Sequence, residues 1–215
     1  MRFTVFGATG GTGRQLVRQA LDAGHEVTAV VRNPARLPVP DGEASARLEV
    51  VTADVTDPES LVPAVAGRDA VLSALGAPGN KSAGIASRGT RAVLSAMEEA
   101  GVRRYIGVSA APVVAWGEGE TLLFRTVVVP LVRRALRRVY EDLAVMEDAI
   151  RASDADWTVV RPPKLTDEPP KGTYRRAIGA NVRRGHSVPR ADLAAAILAM
   201  VDDPATVRKG VGVAS

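Results

Sequence analysis

Gly7-Ala-Thr-Gly-Gly-Thr-Gly13 follows a short apolar run (Phe3, Val5, Phe6) and leads into Arg14-Gln-Leu-Val-Arg-Gln-Ala-Leu21. The stretch reads as a strand, a tight turn and a helix. A backbone that turns this sharply while keeping its N–H groups open to an anion needs positions without a Cβ. Gly7 is expected to make the turn, Gly10 to let the anion approach the chain, and Gly13 to let the helix pack on the strand. Gly11 lies in the same loop, and Thr9 and Thr12 add hydroxyl donors. The unpartnered N–H groups and the positive dipole end of the helix point to the same place, which suits a dinucleotide pyrophosphate.

A glycine triplet alone is a weak signal, and its surroundings decide its meaning. Leu16, Val17, Ala20 and Leu21 repeat at helical spacing, Gly24 ends the helix, and Glu26 to Val31 reads as a second strand. That completes a βαβ unit within about 30 residues. Further strands are expected at 47–52, 69–75, 104–109 and 157–161. Helices are expected at 58–65, 84–100 and 131–152, with a last one from Arg190 to about Asp202. Strands separated by helices predict an α/β fold, a doubly wound parallel sheet of the Rossmann type. Pro162, Pro163, Pro169, Pro170 and Gly172 interrupt any regular element. Residues 162–189, with 111–130, are therefore read as a small cap on the substrate side of one domain spanning 1–215.

Composition narrows the function classes. The 215 residues carry 28 basic and 24 acidic side chains, for a net charge of +4, with arginine far more frequent than lysine. The balance suits anionic small ligands and is too weak, with too few aromatics, to point to nucleic acid. No apolar run reaches the roughly 18 residues of a membrane span, and the chain enters its first strand without a signal-peptide core. A cytoplasmic protein without membrane contact is the expectation. The absence of cysteine removes thiolate chemistry, and His25 and His186 are too few for a histidine-rich metal centre, so no metal is expected.

The end of the second strand bears on the choice of dinucleotide. NAD sites place a carboxylate there to accept from the ribose 2′-hydroxyl. This chain has Val30-Val31-Arg32-Asn33-Pro34 instead. Arg32 suits a 2′-phosphate and stacks on adenine, with Arg36 one turn further, so NADP(H) is favoured over NAD(H). The alternative is an ordinary solvated arginine. Asp54, next to Val55 after the third strand, either accepts from the adenine amino group or closes a turn. Ala74, Leu75 and Gly76 end the fourth strand with mostly small residues that let a ribose come close.

GATGGTG at 7–13, AVVRNPARL at 29–37, TADVTD at 52–57, DAVLSALG at 69–76, WTVVRPP at 157–163 and PRADLA at 189–194 together resemble the atypical short-chain dehydrogenase/reductases with an NAD(P)H-binding, NmrA-like fold. Within that group the chain is most similar to the biliverdin reductase B and NADPH-dependent flavin reductase branch. The resemblance implies that Gly10, Thr12 and Gly13 hold pyrophosphate and Arg32 the 2′-phosphate. It also implies that Ser109 stands beside the nicotinamide and that Pro162 and Pro163 line its pocket. Residues 111–130 depart from the branch, with Trp116-Gly-Glu-Gly-Glu120 and Val127-Val-Val-Pro130, and this leaves the acceptor open.

Ordinary short-chain dehydrogenases use a tyrosine and a lysine four residues later as proton donor. Tyr140 is followed at 144 by alanine, so that pair is absent. A flavin, quinone or similar conjugated acceptor takes hydride without such an acid, and catalysis then rests on alignment of the two rings. Ser109 is the candidate catalytic residue, as an orienting group, against the alternative of a capping serine. Gly107-Val-Ser109-Ala-Ala111 is a poor match to a hydrolase elbow, because the second glycine is missing and Pro112 follows. Arg133, Arg134, Arg137 and Arg138 form a charged helical face opposite Val132, Ala135, Leu136 and Val139, either solvated or attracting an anionic acceptor. The expected activity is NADPH-dependent reduction of a conjugated, anionic or aromatic small molecule. The alternatives are a catalytically silent NADP(H)-sensing regulator and a sugar- or natural-product-modifying enzyme. The sequence leaves the oligomeric state unread.

Overall fold

The computed structural model describes residues 1–39, 41–76, 83–113 and 134–215. Strands β1 (Arg2–Phe6), β2 (Glu26–Val31), β3 (Leu48–Thr52), β4 (Ala70–Ser73), β5 (Arg104–Val108) and β6 (Asp156–Arg161) alternate with helices. These are α1 (Gly11–Asp22), α2 (Glu43–Ala46), α3 (Pro58–Val65), α4 (Ile85–Glu99) and α5 (Arg137–Ala152). Short strands β7 (Lys164–Thr166), β8 (Arg175–Ile178) and β9 (Ser187–Pro189) follow, then α6 (Arg190–Ala199) and β10 (Lys209–Ala214). The main sheet has the order β3-β2-β1-β4-β5-β6-β10-β8, and β7 pairs with β9 apart from it. Its pairings are parallel except at the edge, where β8 runs antiparallel to β10. The expected doubly wound α/β sheet is present.

The period-two alternation of the strands sorts their side chains onto two helical layers. Phe3 and Val5 of β1, with Val27, Ala29 and Val31 of β2, meet Leu16, Ala20 and Leu21 of α1 and Leu193 and Ile197 of α6. Phe6, Val30 and Val71 point the other way, toward Leu61 and Val65 of α3, Val93 and Met97 of α4, and Met146 and Ile150 of α5. Each fully covered leucine or isoleucine contributes roughly 1.5–3 kcal/mol. Thr4 sits in the same interior, and its Oγ1 donates to the Ala64 carbonyl at 2.6 Å.

Two expectations are corrected. The proline-rich stretch 162–189 holds three short strands, and one of them, β8, extends the main sheet. The prolines fall between these strands or at their ends, so none loses a ladder donor in its interior. The last helix stops at Ala199, three residues early, because Met200 adopts the C-cap and Pro204 opens a short 3-10 turn capped by the Asp203 carboxylate. β10 has no counterpart among the expected elements.

Among the described residues, no helix is long and apolar enough to cross a membrane. No cluster of three or more histidine, aspartate or glutamate side chains among them suits a metal ion.

Candidate functional site

The chain winds from β1 to β2 and β3 on one side and reaches β4, β5 and β6 on the other, so the order reverses between β1 and β4. The crevice beyond the carboxyl ends of those two strands is where open α/β sheets bind ligands. It holds a cavity of about 510 Å3. Gly7, Thr9, Gly10, Gly11, Thr12, Arg32, Arg36, Val55, Ala74, Leu75 and Gly76 all line it, together with Ile85 and Arg190. A side recess of about 220 Å3 is lined by Thr9, Arg32, Asn33 and Arg36.

The glycines divide their work by position. Gly7 has φ +74°, and a Cβ on it would lie 2.5 Å from the Ala74 carbonyl oxygen, so only glycine lets β1 turn against β4. A Cβ on Gly13 would lie 2.1 Å from the Gly7 oxygen, which fixes Gly13 as the packing glycine behind the loop. The Gly10 N–H donates to the Gly7 carbonyl at 2.9 Å and closes the turn. Gly10 is also the N-cap of α1, and no side chain caps that helix. Its first N–H groups open on the cavity, a seat for an anion. α4, by contrast, has its N-terminal amides filled: buried Asp142 of α5 accepts from Ala86 N and Ser87 N, both at 3.1 Å.

Asp54 is exposed and does not line the cavity. Its Oδ1 accepts from the backbone N–H of Thr56 at 2.9 Å and from the Thr56 hydroxyl at 2.8 Å. Those bonds, the backbone one first, hold its carboxyl below the usual range, with smaller help from Arg32 and Arg88. It is a turn-closing carboxylate in this geometry. Pro162 is buried, and its carbonyl accepts from Ala111 N at 2.8 Å, joining the cap to the end of β6. Of the cap read at 111–130, only Ala111 to Val113 falls among the described residues. Trp116 to Glu120, Val127 to Pro130, Val132 and Arg133 lie outside them.

Ser109 follows β5 and is buried. Its hydroxyl donates to Oε1 of Glu147 at 2.7 Å. Glu147 is wholly enclosed and accepts two bonds from Arg161, at 3.0 Å from Nε and 2.6 Å from Nη2, and a further one from Arg151. A Cβ on Gly210 of β10 would lie 2.2 Å from Arg161 Nη1, so that glycine gives the guanidinium its room. Sequence reasoning missed this quartet around buried Glu147. The clue was available, since Leu143, Met146, Glu147 and Ile150 share one helical stripe in which glutamate is the odd member.

Arg190 also escaped the sequence reading. It opens α6, and its Cδ and Nε lie 2.6 and 2.7 Å from where a Gly11 Cβ would stand. Tyr140 is partly buried against the α3–α5 layer, and no lysine occurs in α5. The expected arginine face is corrected: Leu136 is the N-cap of α5 and exposed, and Arg137 pairs with Glu141 at 2.7 Å. The described part is therefore not one continuous amphipathic surface.

An uncapped helix end, glycines that admit no side chain and three arginines around one crevice fit a phosphate-bearing dinucleotide. A family profile described as NAD(P)H-binding matches residues 7–204. The chain belongs to the NAD(P)H-binding family. The NAD(P)H-binding part of the resemblance read from the sequence holds with it. The UPF0659 protein C216.03 of Schizosaccharomyces pombe is 29% identical over 188 residues, covering 82% of this chain and 75% of that one. The photosystem II assembly factor Ycf39 of Synechocystis is 33% identical over 109 residues, and the matched stretch spans 49% of this chain and only 32% of that one. Among solved structures, a Veillonella parvula short-chain dehydrogenase/reductase in complex with NADP superposes with a TM-score of 0.81 at 22% identity, covering all of this chain and 94% of that one. ChuY of Escherichia coli O157:H7, described as an anaerobilin reductase, gives 0.75 at 23% identity over 100% and 97% of the two chains. Those two likenesses are of fold.

Proposed function

We propose that this chain is an NADPH-dependent reductase that passes hydride to a conjugated small molecule such as a flavin or quinone. Bound NADPH supplies the hydride; the chain supplies binding and alignment. The uncapped start of α1 receives the diphosphate, and Arg32 and Arg36 around the 220 Å3 recess favour a 2′-phosphate over a bare 2′-hydroxyl.

The observation that carries the acceptor class is the bond from Ser109 to Glu147. A serine hydroxyl has one proton to donate, and this one goes to a buried carboxylate that is itself fixed by two arginines. Ser109 is left with lone pairs, so it can accept from an amide N–H but cannot protonate a carbonyl oxygen. With no lysine on α5 to assist Tyr140, the described residues offer no proton donor of the ordinary dehydrogenase kind. An acceptor that takes hydride into a conjugated ring and its proton from water suits that arrangement. The description of the fold-sharing ChuY as an anaerobilin reductase accords with it.

The test is NADPH oxidation at 340 nm with FMN, FAD, menadione and a simple ketone as acceptors. Turnover with the conjugated acceptors and none with the ketone is expected. Tight NADPH binding without turnover on any of them would instead favour a dinucleotide-sensing regulator.

A further inference from the structure

Arg190 stands where positive charge is already concentrated. It shares the wall of the cavity with Thr9, Gly10, Gly11 and Thr12, and its side chain crosses the first residue of α1. The amino end of that helix carries the positive pole of the dipole, with no capping side chain to offset it. A guanidinium laid over that pole is repelled unless an anion lies between or beside them. The anion it has is Asp167, whose Oδ1 accepts from Arg190 Nη1 at 2.7 Å. That carboxylate is 86% exposed, while the Arg190 side chain is 27% exposed. An exposed pair of this kind is weak and readily given up.

The backbone of Arg190 is held firmly in place. Pro189 of β9 precedes it, and the Ala191 carbonyl accepts from Gln19 Nε2 of α1 at 2.9 Å. Two residues on, buried Asp192 accepts from Lys171 N at 2.9 Å and Gly172 N at 3.1 Å, fastening the same loop that carries Asp167. The loop therefore stays anchored if Asp167 loses its arginine. Only the Arg190 side chain has to choose between partners.

We propose that Arg190 is a diphosphate-binding residue of the dinucleotide site, held by Asp167 in the free protein and exchanging that carboxylate for the diphosphate on binding. The proposal rests on the reading of the cavity as a dinucleotide site. The cations then differ in what they read. Arg190 senses what every dinucleotide has, whereas Arg32 and Arg36 sense the 2′-phosphate.

Calorimetric titration of purified protein with ADP, NADH, NADPH and 2′-AMP tests it. Arg190→Gln is expected to weaken ADP, NADH and NADPH alike by about tenfold or more, as for loss of a charge-assisted phosphate contact, and to leave 2′-AMP unchanged. Asp167→Asn removes the competing partner and is expected to tighten ADP by about two- to fivefold. Arg190→Lys, which keeps the charge, guards against misfolding of the glutamine variant and is expected to retain most of the ADP affinity. Unchanged ADP binding in folded Arg190→Gln overturns the proposal and leaves the dinucleotide reading intact. Loss of 2′-AMP binding in step with ADP, or weaker ADP binding in Asp167→Asn, also overturns it. Failure of the unaltered protein to bind any of the four overturns both.

Discussion

Truncating Glu147 to alanine removes the acceptor on which Ser109, Arg151 and Arg161 converge. The cost follows from burial. Glu147 has no exposed surface and the Arg161 side chain only 8%, so the guanidinium cannot turn to water when its partner leaves. Arg151, with its side chain 41% exposed, can, and adds little. Breaking one side of a buried ion pair costs about 3–5 kcal/mol. In a chain of this size each kcal/mol lowers Tm by about 2–4 °C, so Glu147→Ala should melt between about 6 and 20 °C below the unaltered protein. Urea denaturation followed by circular dichroism gives the free energy, and differential scanning calorimetry the temperature. The paired variant Glu147→Leu with Arg161→Met removes both charges and should recover most of the loss, because no buried charge is left unmatched. If Glu147→Ala stays within about 1 kcal/mol of the unaltered protein, or if the paired variant is as unstable as its two single changes combined, the quartet is not the buried electrostatic unit described.

Arg32→Asp should weaken NADPH by about 10- to 100-fold while leaving NADH within about threefold, the size of one lost charge-assisted contact; an unchanged ratio in fluorescence titration refutes the 2′-phosphate assignment. Gly13→Ala forces its methyl against the backbone of Gly7 and Ala8 and should cost about 1–3 kcal/mol in denaturation together with dinucleotide binding, whereas Gly10→Ala, whose Cβ meets only the Gly7 oxygen at 3.3 Å, should keep the stability and weaken binding. Burial pushes the Tyr105 phenol above its ordinary value, against smaller opposing hydrogen bonds from Ser73 and Thr90. Its neutral form is thus favoured by the fold, and that contribution is present below the unfolded pKa of about 10 and lost as pH rises through the higher folded value. Absorbance at 295 nm should show one of the three tyrosines titrating only as the protein unfolds.

The glycine loop was legible because its requirements are local. A positive φ at Gly7 and the contact of Gly13 with Gly7 and Ala8 depend on residues within a few positions of each other. The strand and helix alternation was legible because long elements repeat their pattern. β7, β8 and β9 have three or four residues each, too few to show a period between prolines, and β10, with its glycines at 210 and 212, looks like loop until Arg161 and Ala180 are seen to need that space. Arg190 lies far along the chain from the loop it serves, and its opposite number Asp167 is a surface aspartate by any local criterion. Pairings of that kind are made by the tertiary fold, which places α6 beside α1.

Asp142 carries a consequence for how a ligand lies in the crevice. By accepting from Ala86 N and Ser87 N it quiets the pole of α4, so among the described residues that line the crevice the open helix end and the arginines belong to the α1 and β2 side, while Ile85 lines it without charge. A long molecule with charge at its middle and at one end is thereby favoured in one direction over its reverse.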